Sequence, residues 1–320
     1  MDVRLLTRSD FDGLMCAVLL KELDLFDDKK FVHPKDIQDG TIEVNSNDIL
    51  VNIPYAPGCG MWFDHHTSED SRGVMHQYKY TGASWPAPSC ARVIYEYYGG
   101  GRGALVRFKD MVVEADKCDS AHFSRDEVLN PQGMVLLSFI MDPRTGLGRY
   151  RDFRISNYQL MDCLIDYLRT MSVDEIMQLE DLQERVRLYN AHKDLFVEMM
   201  KKYSWTREAA VVTDLRGVEE TYVGNRHVIY ALFPDQNVSV RVFDGKNKEF
   251  CVFSVGYSIL NRTATVDVGK LMLKHGGGGH RRVGTCQVPY GEADAVLEDI
   301  LTEINKQNWQ MLNITGLEEG

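Results

Sequence analysis

The chain has 320 residues, 44% of them hydrophobic and 26% charged, with a formal net charge of −11. That is ordinary globular composition at a length that suits two domains, and no run approaches the roughly 18 apolar residues of a membrane helix. The negative charge excludes a protein that coats long duplex nucleic acid, but not one that holds a small anion in a local cluster of cations and backbone amides.

Met1-Asp2-Val3-Arg4 reads straight into a strand with no signal-peptide pattern. Seven scattered cysteines form no CxxC pair, which argues against a disulfide framework or a zinc knuckle and for a reducing cytoplasm. The segment "VRLLTRSDFDG" predicts a strand running into a turn. "DGLMCAVLLKEL" follows with Leu14, Ala17 and Val18 at helical spacing. "DILVNIPY" and "MWFDHH" are short apolar runs of buried-strand type. "PSCARVIYEYY" reads as a helix that Ser89 caps, followed by the glycine-rich turn Gly99–Gly103, and "FKDMVVEADKCDSAHF" reads as another helix. This alternation predicts an α/β domain with a mainly parallel sheet over residues 1–170. Ser172 and Glu175 form a capping-box pattern at the head of a linking helix over 171–205. Beyond it, "AAVVTDLRG", "HVIYALFP", "NVSVRVFD" and "EFCVFSVGYS" read as strands of a smaller α/β domain, 206–320. "DVGKLMLKHGGGGH" and "GEADAVLEDILTEINKQ" add helices to that domain, and "LNITGLEEG" reads as a frayed tail.

Four groups carry chemistry. Asp10 and Asp12, in a loop leaving a strand, are able to face one metal or two, or simply to cap the next helix. Asp64-His65-His66 adds two imidazoles, good ligands for several divalent ions, although a pair of loop histidines is the blander reading. Asp116 and Asp119 share a helix face, which solvent alone would also explain. "HGGGGHRRVG" sets Gly276, Gly277, Gly278 and Gly279 beside His280, Arg281 and Arg282, a composition suited to an anion loop. In open α/β sheets ligands gather outside the carboxyl ends of the strands, where these acids fall. Paired carboxylates with a separate anion loop point to hydrolysis of a phosphate ester between two lobes, with two metals activating water and stabilising both oxygens of an in-line displacement.

In this order "SDFDG", "DHH", "ADKCDS" and "GGGGHRRVG" resemble the motifs of the DHH phosphoesterase superfamily with its associated C-terminal domain, over nearly the whole chain. The resemblance implies a two-lobed enzyme with a long helix joining the lobes and a Mn²⁺ site of one or two ions, Mg²⁺ or Co²⁺ being the alternatives. It implies Asp10, Asp12 and His65 as metal ligands, Asp116 as the acid that completes the site with Asp119 competing for that role, His66 as a proton donor beside the scissile phosphate, and Asp64 as the residue orienting the histidines. It implies the four glycines, His280, Arg281 and Arg282, and more weakly Asn261 and Arg262, as phosphate or nucleotide holders.

Two departures from the family pattern stand out. Asn52 occupies the metal-site position where the family usually carries a bridging aspartate, and a neutral amide does not offset the repulsion of two cations. Arg8 stands where many members have a ligand; it is assigned instead to a phosphate. The expected substrates are short single-stranded oligonucleotides or dinucleotides, with inorganic polyphosphate as the alternative and non-hydrolytic nucleotide binding as a third reading. A homodimer is compatible with the sequence; a membrane partner is not expected.

Overall fold

The computed structural model describes residues 2–66 and 80–315, with side chains to residue 306. Among them no helix is long and apolar enough to cross a membrane. The chain divides into two compact units, residues 1–122 with 131–188, and 123–130 with 189–320.

The first unit opens with β1 (Arg4–Arg8), α1 (Phe11–Glu22), β2 (Asp28–Val32), α2 (Pro34–Gln38), β3 (Asp48–Val51), β4 (Met61–Asp64) and β5 (Thr81–Ser84). The five strands form one parallel sheet in the order β2-β1-β3-β4-β5. Because all run the same way, every carboxyl end lies on one edge, the edge that carries the site. The helices α3 (Cys90–Tyr97) and α4 (Lys109–Asp119) follow. Next in the chain comes α5 (Arg125–Leu129), in the second unit, and then α6 (Gly133–Met141), α7 (Asn157–Thr170) and α8 (Val173–Met177) complete the first. Residues Phe11 to Leu20 of α1 are all buried; a helix with no polar stripe belongs inside, and this one packs against α3, α4 and α7. Gly13 lets it lie so close to the sheet: a Cβ there would be 2.1 Å from the Arg8 carbonyl oxygen.

The expected single linking helix over 171–205 is instead two, α8 and then α9 (Glu180–Lys202), and the unit boundary falls within α9. The Ser172–Glu175 capping box is present, but it starts only the five-residue α8.

The second unit contains β6 (Ser204–Arg207), β7 (Ala210–Asp214), α10 (Val228–Leu232), β8 (Val238–Asp244), β9 (Phe250–Tyr257), α11 (Val268–Lys274), β10 (Gly278–His280), β11 (Val283–Pro289) and α12 (Ala293–Thr315). Its mixed sheet has the order β10-β11-β9-β8-β7-β6, in which only β7 and β8 pair in parallel. Val238, Val240 and Val242 alternate inward with Cys251, Phe253 and Val255, and α11 and α12 cover them with Met272, Ile300, Leu301 and Ile304. Fully burying each such side chain is worth roughly 1.5–3 kcal/mol.

One expectation fails here, and one is left largely outside the described residues. "HVIYALFP" forms the short helix α10 and not a strand; a brief apolar run does not by its period alone separate the two. The tail expected to fray is helical through Thr315, and residues 316–320 of it lie outside the described residues.

Candidate active site

The carboxyl ends of β1, β3 and β4 deliver Arg8, Asn52 and the Asp64-His65-His66 triplet to one edge. Asp10 is the N-cap of α1, its Oδ1 accepting from the Gly13 amide at 2.9 Å. The helix-capping reading therefore holds for Asp10. It does not hold for Asp12, which lies inside the first turn and is 2% exposed. The Asp12 carboxylate accepts from the amides of Cys90 (2.8 Å) and Ala91 (3.0 Å), so it caps α3 across space. Those amides and the positive end of the helix offset part of the cost of burying a charge. Burial nevertheless leaves the Asp12 carboxyl above its ordinary range; His65 lowers it and Asp10 raises it further.

His65 is the centre of the arrangement. Its Nδ1 lies 3.0 Å from the carbonyl oxygen of Ala87. A carbonyl only accepts, so Nδ1 carries the hydrogen and the neutral ring keeps its lone pair on Nε2. That Nε2 is buried with no hydrogen-bond partner among the described residues. It stands 3.7 Å from Asp12 Oδ2 and 3.5 Å from Asp119 Oδ2, too far for the 2.7–2.9 Å typical of a charge-assisted bond. Three electron-pair donors thus face one another, their ligand atoms all within 4.8 Å. A divalent cation satisfies all three at once, so these residues fit a metal. Asp64, His65 and His66 also converge within that span, but there the atoms already serve each other: Asp64 Oδ1 accepts from the His65 amide (2.9 Å) and from His66 Nδ1 (2.7 Å). Asp64, 1% exposed, therefore fixes the orientation of His66.

Two acids of α4 separate. Asp119 reaches His65, and crowding by protein, then the charges of Asp12 and Asp10, push its carboxyl well above the usual range. Asp116, expected to complete the site, does not do so. It accepts from Ser89 Oγ (2.7 Å) and from Arg92 Nε and Nη2 (3.0 and 2.5 Å), bracing the first turn of α3. Asn52 adopts a left-handed φ of +56°, which asparagine tolerates. It donates its Nδ2 to Asp10 Oδ1 at 3.1 Å, and its Oδ1 is buried without a hydrogen-bond partner among the described residues. Arg8 Nε pairs with Asp10 Oδ2 at 2.8 Å.

One neighbour escaped the sequence reading. Arg144 donates to Asp142; against the burial that lowers it, Asp142 and then Asp10 and Asp119 hold its guanidinium above its ordinary value. It therefore lies within electrostatic reach of the acids. Nothing in "MDPRTGLGR" distinguishes it from the other arginines.

In the second unit the glycine run is not an open loop. Gly276 closes α11 with φ +73°. A Cβ at Gly277 would lie 2.0 Å from the Thr285 carbonyl oxygen, and one at Gly279 would lie 2.3 Å from that of Val283. Two glycines thus serve close chain packing, and only at Gly278 is the space beyond the Cα open without a left-handed backbone. Arg281 and Arg282 form the two-residue turn between β10 and β11. Their carbonyls are bonded by the amides of Val268 and Tyr257, while their side chains are exposed and without hydrogen-bond or ion-pair partners among the described residues. His280 is exposed beside them. Asn261 departs from expectation: its Nδ2 bonds the carbonyls of Pro234 and Asp235 and its Oδ1 accepts from Thr263, so it braces its own loop. Arg262 Nε likewise donates to the carbonyl of Ile259. Gly99–Gly103 is a turn, as its position after a helix suggests.

No family model and no curated protein matches the chain. Among solved structures it is similar to the pGpG-specific phosphodiesterase PggH from Vibrio cholerae, with 46% identity and a TM-score of 0.80 over 95% of this chain and 99% of that one. It also shares its fold with RecJ from Thermus thermophilus, solved in complex with Mn²⁺, at 14% identity and a TM-score of 0.51 over 95% of this chain and 52% of that one. Near-full-length likeness at that first identity, with a DHH triplet at the end of β4 and its first histidine aimed at two carboxylates, identifies the chain as a member of the DHH superfamily of phosphoesterases.

Proposed function

We propose that this phosphoesterase hydrolyses the phosphodiester bond of a short 5′-phosphorylated dinucleotide, pGpG among them, with Mn²⁺ as its preferred ion. The observation that carries the reading is the lone pair of His65 Nε2, buried and turned by the Ala87 carbonyl toward Asp12 and Asp119. Those three residues would hold the ion, which when bound polarises a phosphoryl oxygen and lowers the pKa of a bound water. His66, oriented by Asp64, is positioned to hold or deliver a proton through Nε2 to the leaving oxygen. His280, Arg281 and Arg282 are proposed to take the terminal phosphate, for which exposed and unpaired guanidinium groups are suited. The 46% identity to a pGpG-specific phosphodiesterase supports a dinucleotide over polyphosphate.

The test offers pGpG, a second 5′-phosphorylated dinucleotide, an RNA decamer and polyphosphate side by side with Mn²⁺. The expected result is mononucleotide release from the dinucleotides, lost in His65→Ala. Orthophosphate from polyphosphate alone, or full activity in His65→Ala, would overturn the reading.

A further inference from the structure

Asp10 and Asp12 are two residues apart on one turn, but they keep different company. Asp12 belongs to the group of converging ligand atoms with His65 and Asp119, and Asp10 does not. Both Asp10 oxygens are engaged elsewhere, Oδ1 by the Gly13 amide and Asn52 Nδ2, Oδ2 by the Arg8 guanidinium. Asn52 acts on Asp10 as a hydrogen-bond donor, where an acid would have competed with it for a cation. Arg8 keeps 40% side-chain exposure, and among the described residues its other N–H groups find no hydrogen-bond partner.

The charges point the same way. Asp10, Asp12 and Asp119 bring three negative charges. One divalent ion and one guanidinium balance them. A second divalent ion would leave an excess that the neutral amide of Asn52 does not offset, at a separation where repulsion is large. A guanidinium is always protonated and matches phosphate oxygens with a planar fork of donors. It cannot activate water, but it can neutralise a phosphate.

We propose that this centre takes a single divalent ion, at Asp12, His65 and Asp119, and that the Arg8 guanidinium, anchored by Asp10, replaces a second ion as the cation on the substrate phosphate. The inference rests on the metal-dependent reading above, and the test separates the two.

Mn²⁺ is titrated into the metal-free full chain, with and without inorganic phosphate, and bound ions are counted by calorimetry. The loaded protein is then examined by electron paramagnetic resonance. One ion per chain with the hyperfine spectrum of an isolated Mn²⁺ is expected in both conditions. The double variant Arg8→His with Asn52→Asp is expected to take a second ion and show spin coupling. Arg8→Ala is expected still to bind one ion while the KM for pGpG rises about tenfold or more, the value of a lost charged hydrogen bond. Two ions and a coupled spectrum in the wild-type chain would overturn the inference and leave the phosphodiesterase reading standing. An unchanged KM in Arg8→Ala would overturn the role of Arg8. Failure of the wild-type chain to bind Mn²⁺ at all would instead overturn the metal-dependent reading itself.

Discussion

The acid–histidine cluster and the glycine–arginine hairpin solve opposite problems. In the cluster four side chains are fixed by neighbours: Asp12 by two amides, His65 by a carbonyl, His66 by Asp64, Asp10 by Arg8 and Asn52. In the hairpin the backbone is fixed, by glycine contacts and by bonds to the carbonyls of Arg281 and Arg282, while the arginine side chains are exposed and find no partner among the described residues. Rigid side chains suit groups that must meet a reacting atom within a fraction of an ångström. Long free cations on a rigid base suit the first capture of a charged ligand. On the proposed reading, substitutions of the cluster's acids and histidines should fall on kcat and those of the hairpin arginines on KM.

The strongest break of that contrast is His65→Ala, which is expected to abolish turnover and Mn²⁺ binding together; a variant that loses one without the other would detach the lone pair from the ion. His66→Gln is expected to lower kcat by about 10²–10⁴-fold, the usual contribution of a general acid, with Mn²⁺ affinity little changed by calorimetry. Arg281→Ala should raise KM about tenfold at nearly constant kcat, the loss of one charged hydrogen bond; a fall in kcat alone would put the hairpin on the chemical side. Asp116→Ala should cost about 1 kcal/mol of stability in urea unfolding, through the lost brace to Arg92 and Ser89, while turnover stays near wild type.

The smallest effect concerns pH without metal. The Asp119 carboxyl lies well above its ordinary range. The folded state then holds a proton that the unfolded chain gives up, so stability falls as pH rises from the ordinary carboxylate range through the raised value. Asp119→Asn should consequently raise the melting temperature of the EDTA-treated protein at neutral pH, and the advantage should vanish on adding Mn²⁺, which only the wild type binds fully. Melting curves with and without the ion check both halves.

Much of this site was legible because its residues are neighbours in sequence at strand ends. That Asp10, Asp12 and the triplet at 64–66 meet at one sheet edge needed only the rule that ligands gather where parallel strands end; that Asp10, expected as a metal ligand, stays outside the converging group did not follow from it. The choice between Asp116 and Asp119 was not legible. Three residues apart, they share a helix face, and what engages Asp116 is a partner 24 residues away, Arg92, whose pairing with it no local pattern announces. The glycine run misled for a similar reason. Its composition fits an anion loop, but what consumes Gly277 and Gly279 is contact with β11, a tertiary fact. The fold class was legible from the strand and helix alternation, whereas α10, five residues long, carried too little pattern to be told from a strand.

The bond that selects the free nitrogen of His65 comes from the main chain of Ala87, which stands between Pro86 and Pro88. Proline on either side restricts the backbone there, so almost any side chain at position 87 would present the same oxygen. A saturation screen would score this position as tolerant and pass over it. The group that orients His65 is thereby hidden from genetics, and only a change to the backbone itself, such as an ester or a lost proline, would expose it.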